Sequence, residues 1–374
     1  MSAFRDAVEG TALVDHHVHG ALREQVSRSR FEGMLNEGYP GVPPADMQPL
    51  DSQIGFAVRR WCAPLLGLEA GAPADEYWAT RDALGEQEVN RRLLGAAGVS
   101  HWLVDTGHGA DVVLGPDELA AFAGTAREIV RIEVVAERLA ASGVAPADYA
   151  DSFRSALAAA TATAVGVKSV LAYRSGFDID LTRPSDAAVG SAAARWLSGA
   201  GAAPRLDDPV LLAFGLHAAL ERGLPIQLHV GFGDRDLDLR TANPLLLRPF
   251  LLAAECAEVP VLLLHCYPYE REAGYLAQSY GTVYLDVGLA VNYLGAASPT
   301  VIAHALETAP FSRVLYSSDA WGPAELHLLG ARLWRTGLER VVAPWIESGE
   351  WRLDDAVRVQ EQLGRGTALR VYGL

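Results

Sequence analysis

Lysine is all but missing from this 374-residue chain: Lys168 is the only one, and every other basic side chain is an arginine. The formal net charge is −15 and no Lys/Arg cluster forms a basic face, which excludes nucleic acid as a partner. Cysteine is scarce as well. Cys62, Cys256 and Cys266 are odd in number and fit no disulfide framework or zinc ribbon, which favours a reducing cytoplasm. The opening residues, MSAFRDAVEGTALVD, lack a basic stretch followed by an apolar one, so no signal peptide is expected. No apolar run reaches the ~18 residues of a membrane-spanning helix, so no membrane association is expected.

What is present is a large apolar fraction, 50%, with 21% charged residues, an ordinary balance for a globular chain. Eight short apolar runs of strand type recur at 11–17, 99–105, 128–135, 164–173, 224–230, 259–266, 281–288 and 312–319. They are near-continuous in Val, Leu and Ile and do not alternate, the mark of parallel strands buried on both faces. Helical stretches separate them, several opening on Pro after Asp or Asn. Eight such units predict an α/β fold, a (β/α)₈ TIM barrel forming one domain over 1–374. A doubly wound open sheet is the alternative, but no Gly-rich phosphate loop follows any strand. Residues 21–98 interrupt the repeat after the first strand and read as a helical insertion, a lid at the catalytic face. A second enlarged loop, 174–206, follows the fourth strand.

The first strand ends in Asp15-His16-His17-Val18-His19. Residues two apart on a strand share a side, so His17 and His19 project together where barrel sites lie, a natural half of a zinc site. His229, His265 and Asp319 close the fifth, sixth and eighth candidate strands. Four histidines and an aspartate, all at strand ends, point to a metal centre. Lys168 lies on the fourth strand, and its being the only lysine suggests a chemistry that arginine does not supply.

This ligand order resembles that of the amidohydrolase superfamily. The stretch GVKSVLAYRSGFDI (166–179) resembles more narrowly the amidohydrolase-2-like branch, whose domain is fused to a glutamine-synthetase-like domain in some fungal and plant proteins. The resemblance implies the barrel and one or two divalent ions, Zn²⁺ foremost, with Mn²⁺ or Fe²⁺ also suited to N/O ligands. It implies that His17, His19 and Asp319 hold the first ion. It further implies a carboxylated Lys168 bridging to a second ion on His229 and His265. With one ion, His229 joins the first set and His265 becomes a hydrogen-bonding group.

Asp319 and His265 are then the expected catalytic groups. Tyr173, Arg174, His101 and Trp321 are expected to face the substrate, Arg174 either clamping a carboxylate or pairing with Asp178 or Asp180. Asp105, His108, Glu133, Asp234, Asp236 and Arg240 are further candidates near the pocket, the last three on a loop that they either order or share with substrate. The reading favours a cytoplasmic homo-oligomer hydrolysing a C–N bond, amide or cyclic amide, of a small carboxylate-bearing substrate. Decarboxylation, lactone hydrolysis or sugar-acid isomerisation on the same scaffold, and a non-catalytic metal-binding partner domain, remain alternatives.

Overall fold

Seven parallel strands form one sheet in the order of the chain: β1 Leu13–Val18, β2 Val99–Asp105, β3 Thr125–Arg131, β4 Gly166–Ser169, β5 Ile226–Val230, β6 Val261–His265 and β7 Val283–Leu285. The coordinates are a computed structural model that describes residues 2–39, 41, 44, 46–199, 201 and 203–374. Each strand pairs with the next in parallel register, for example Leu103 with Arg127 and Leu228 with Leu263. The expected eighth strand, 312–319, is not a regular strand. Val314 makes an isolated parallel bridge with Leu285. The Leu315 amide donates to the Leu285 carbonyl (3.0 Å), the His16 amide to the Tyr316 carbonyl (3.3 Å) and the Asp319 amide to the His17 carbonyl (3.0 Å). The segment thus joins the two edge strands through a few hydrogen bonds. A side-chain bond from the Ser318 amide to Asp15 Oδ1 (2.9 Å) takes the place of a ladder rung.

The strands fail to alternate in polarity because both faces are apolar, yet the faces are distinct. Leu103, Ile129, Leu262, Leu264, Tyr284 and Leu315 belong to one buried cluster with Val14. Their neighbours Trp102, Val104, Val130, Val261, Leu263, Val283, Leu285 and Val314 belong to the larger cluster beneath the helices. The helix Thr367–Tyr372 packs Ala368 and Tyr372 into the first, inner cluster.

Two strands end earlier than expected. β3 gives way at Ile132 to the helix Ile132–Ala141, and β4 stops at Ser169, two residues before the short helix Leu171–Arg174. One side chain connects both breaks. Glu133 Oε1 accepts from Ser169 Oγ (2.6 Å) and from the Val170 amide (3.0 Å), so the amide past β4 is turned out of the ladder. Between β1 and β2 lie the helices Arg28–Met34, Gln53–Trp61, Ala63–Leu66, Ala74–Leu84 and Glu86–Ala96. One stretch, Gly288–Glu307, is by length and composition apolar enough to cross a membrane, against the expectation from sequence. It is broken at Gly295, and Val291, Val301, Ile302 and Ala305 are core residues, which accounts for its hydropathy.

Candidate metal centre

The side chains at the strand ends converge because the backbone departs from regular geometry there. Val14 points into the inner cluster, so strict alternation would send His16 and Val18 inward and His17 outward. The β1–β2 register shifts between Asp15 and Val18, and Val18 lies in the outer cluster. Such an irregularity re-aims side chains beside a site. On β6, Leu264 is inner and Leu263 outer, which by alternation puts His265 outside. His265 has φ +69°, and this left-handed residue swings its ring to within 5.6 Å of the His17 ring and 4.7 Å of the His229 ring. Asp319 has φ +50° and directs its carboxylate to the same point.

His17 Nε2 lies 2.8 Å from Asp319 Oδ1, His19 Nε2 3.6 Å from the same oxygen, and His265 Nε2 3.4 Å from Asp319 Oδ2. The outer ring nitrogens settle the tautomers. His17 Nδ1 faces Gln227 Oε1 (2.8 Å) and His19 Nδ1 faces the Asp105 carbonyl (2.9 Å). Both partners are acceptors, so each ring carries its proton on Nδ1 and presents a bare Nε2. Burial lowers His17, His229 and His265 well below the ordinary histidine range and takes His19 to about 3, so all four rings are neutral. Burial raises Asp319 to about 6, against the pull of His19 and Lys168.

A bare nitrogen facing a carboxylate oxygen at 2.8 Å is a repulsive pair of acceptors unless a cation stands between them. His229 Nε2 and both ring nitrogens of His265 are buried without a hydrogen-bond partner, as buried polar atoms seldom are. The donor set, imidazole nitrogens with one carboxylate, suits Zn²⁺, and Mn²⁺ or Fe²⁺ also. These residues therefore fit a divalent ion. Asp105 also lies near His17 and His19, but its carboxylate is committed to Arg131 Nη2 (2.6 Å) and to the Gly107 amide (2.8 Å). Lys168 is buried, its Nζ 3.2 Å from His17 Nε2, and burial lowers its ammonium to about 8.

A cavity of about 310 Å³ opens over this centre, lined by His19, Lys168, His229 and Asp319 at its floor. Of the residues expected to face substrate, Tyr173, Arg174 and Trp321 line it. The Tyr173 ring packs 4.6 Å from that of His229. Arg174 pairs with Glu137 Oε1 (3.0 Å), not with Asp178 or Asp180. Trp321 packs 5.2 Å from His108, which also lines the cavity. His101 is placed elsewhere. It lies four residues before the end of β2, about 13 Å along a strand at ~3.3 Å per residue, and bonds Ser100 Oγ (3.0 Å). Glu133 is the strand-end clasp described above and does not line the cavity. Asp234 and Asp236 line it, while Arg240 is exposed and bonds Asp238.

Three charged lining residues went unread in the sequence. Arg131 ends β3 and is held by Asp105; Arg205 comes from the 174–206 loop; Glu37 comes from the segment after β1. Burial, with the charges of Asp319 and Asp234, raises Glu37 to about 8, against the pull of the nearby Tyr293 hydroxyl. A lone Glu in a loop carries no local signal; only its chain path brings it here.

Comparison with known proteins agrees with this geometry. A family model described as Amidohydrolase matches residues 101–374, a span that contains Lys168, His229, His265 and Asp319 but begins after His17 and His19. Protein fluG of Emericella nidulans is 29% identical over 418 residues, across 100% of this chain and 47% of that protein, so the chain spans about half its relative's length. A protein of Lactobacillus casei ATCC 334, proposed to be a metal-dependent hydrolase, matches with TM-score 0.86 at 26% identity, covering 99% of this chain and 97% of that one. A uronate isomerase of Bacillus halodurans C-125 matches with TM-score 0.62 at 13% identity, over 100% and 96% of the chains, a likeness of fold. The matched span and the clustered histidines and aspartate establish that this chain belongs to the amidohydrolase family.

Proposed function

We propose that this protein is a metal-dependent hydrolase that opens a C–N bond, amide or cyclic amide, in a small molecule carrying a carboxylate. The observation that supports it most is the set of bare imidazole nitrogens around Asp319 at the floor of a polar cavity. A divalent ion bound there, Zn²⁺ foremost, supplies Lewis acidity. Asp319 takes the proton of the attacking water at a carboxylate oxygen and returns it to the leaving nitrogen. His265, 3.4 Å from Asp319 Oδ2 with neither ring nitrogen hydrogen-bonded, offers Nε2 to the ion beside Asp319. Arg174 and Arg205 receive the substrate carboxylate, Arg174 exchanging Glu137 for it. Opposite charges, Asp234 and Asp236, line the same cavity and suit a substrate that also bears an amino group. In this reading residues 21–98 cover the site and select substrate through Glu37. Lys168, as a carbamate, holds a second ion with His229 and His265; two ions per chain with the added mass of CO₂ on Lys168 is the expected outcome, and one ion with a bare amine removes that part.

The test is turnover of a panel of N-acyl and γ-glutamyl amides by zinc-loaded protein. Asp319→Asn should lower kcat by about 10²–10⁴-fold on any amide that is cleaved. A second reading, isomerisation of a sugar acid, is favoured by the polar lining of the cavity. Turnover of hexuronates or of lactones with no amide cleaved would replace the first.

A further inference from the structure

Beneath the metal centre runs a hydrogen-bond chain in which every polar hydrogen has one acceptor. The Gln227 amide lies 2.6 Å from the His16 carbonyl. An amide oxygen cannot sit against a carbonyl, so the nitrogen faces His16 and the oxygen faces His17 Nδ1. The second hydrogen of that nitrogen goes to Tyr372 Oη at 2.8 Å. His16 Nε2 donates to Asp286 Oδ2 (2.9 Å), which leaves His16 Nδ1 to accept from the Tyr372 hydroxyl at 3.1 Å. Asp286 Oδ1 accepts the backbone amides of His265 and Gly288, both at 2.8 Å. The chain therefore runs in one sense from the ring of His17 to the Asp286 carboxylate, which also accepts the backbone amide of His265. His16, Gln227 and Asp286 are fully buried and Tyr372 is 7% exposed, so no water replaces a lost link.

Tyr372 is the member that comes from outside the strands and their loops. It sits on the helix Thr367–Tyr372, which enters the inner cluster from the end opposite the cavity. We propose that the Tyr372 hydroxyl is a positioning residue for the metal centre: by holding both Gln227 and His16 it fixes the Nδ1–H tautomer of His17 and the place of its Nε2. Without it, one Gln227 hydrogen and His16 Nδ1 are orphaned together, and the amide gains a reason to turn. The C-terminal helix thereby sets metal affinity at a distance, with no part in substrate contact. This rests on the metal reading above.

The experiment measures Zn²⁺ affinity by competition with a chelating dye for the full chain, for Tyr372→Phe and for Leu369→Ala. Leu369 packs the same helix against the inner cluster and, having an apolar side chain, makes no hydrogen bond in the chain. Loss of an outer hydrogen-bond partner of a ligand histidine typically weakens metal binding by about 10–100-fold, and that loss is expected for Tyr372→Phe alone. Imidazole nitrogen spectra of the metal-free protein should show His17 as the Nδ1–H tautomer in the parent and a mixture in Tyr372→Phe. Parent-like Zn²⁺ affinity and tautomer in Tyr372→Phe overturn the inference, as does an equal loss in Leu369→Ala, which would mean general loosening. A parent chain that binds no Zn²⁺ overturns the metal reading instead, and the tautomer then decides whether Tyr372 positions His17.

Discussion

His265 and Asp319 are two of four non-glycine residues with positive φ among the described residues, the others being Glu258 and Cys266. Left-handed backbone costs an L-residue roughly 1–2 kcal/mol, and here it falls where side chains must leave their strands to meet. The same crowding of acidic groups makes Glu37 sensitive to pH. Its carboxyl is raised from 4.5 to about 8 by burial and by Asp319 and Asp234. The folded state thus favours the protonated form. Below pH 4.5 both folded and unfolded chains are protonated and the group costs nothing; as pH rises toward 8 the unfolded chain ionises first and stability is lost. Thermal melts of metal-free protein from pH 4 to 9 should show a shallower decline for Glu37→Gln than for the parent. Parallel curves would place Glu37 in water.

At the level of elements, the helices between β1 and β2 are tied to the body by one buried ionic cluster. Arg81, on the helix Ala74–Leu84, bonds Glu86 through Nη1 (3.0 Å) and Nη2 (2.8 Å) and Glu325 through Nε (2.8 Å). The Tyr77 hydroxyl donates to Glu325 Oε1 (2.9 Å). Arg81 and Glu325 are wholly buried, and Glu325 begins the long helix Ala324–Glu347. Arg81→Met removes the one cation from two buried carboxylates, and breaking a buried pair in this way costs about 3–5 kcal/mol. Chemical denaturation should register that loss. Joint replacement of Arg81, Glu86 and Glu325 by apolar residues should recover much of it, because no buried charge is then left stranded. The strands carry a related lesson. Their existence was plain from apolar runs, but their ends were not, because a clasp such as Glu133 on Ser169 and Val170 comes from a residue on another element.

For the whole molecule, the strands and the candidate metal centre share one seam. The segment that joins β7 to β1 carries Asp319, and the Asp319 amide bonds the His17 carbonyl (3.0 Å). An ion held by His17 and Asp319 therefore clamps the seam of the sheet. Metal binding stabilises by about 2.7 kcal/mol when free ion is at a hundredfold excess over Kd. Removing the metal with a chelator should lower Tm by several degrees, and added Zn²⁺ should restore it. A Tm indifferent to chelator would mean that the seam holds without an ion.

What the sequence determined by itself was the parallel α/β architecture, through its apolar runs, and the gathering of potential metal ligands at the strand ends, through His17, His19, His229, His265 and Asp319. Lys168 stood out because it has no like elsewhere in the chain. Tertiary structure alone decided the rest. It removed His101, whose type fits a pocket but whose place on β2 does not. It added Arg131, Arg205 and Glu37, and it tied Tyr372 to His17 across the barrel. The physical reason is range. Periodicity and strand ends are local properties that neighbouring residues express, whereas the direction of a side chain at a register shift or a left-handed residue, and the partner it meets, depend on segments that are hundreds of residues away.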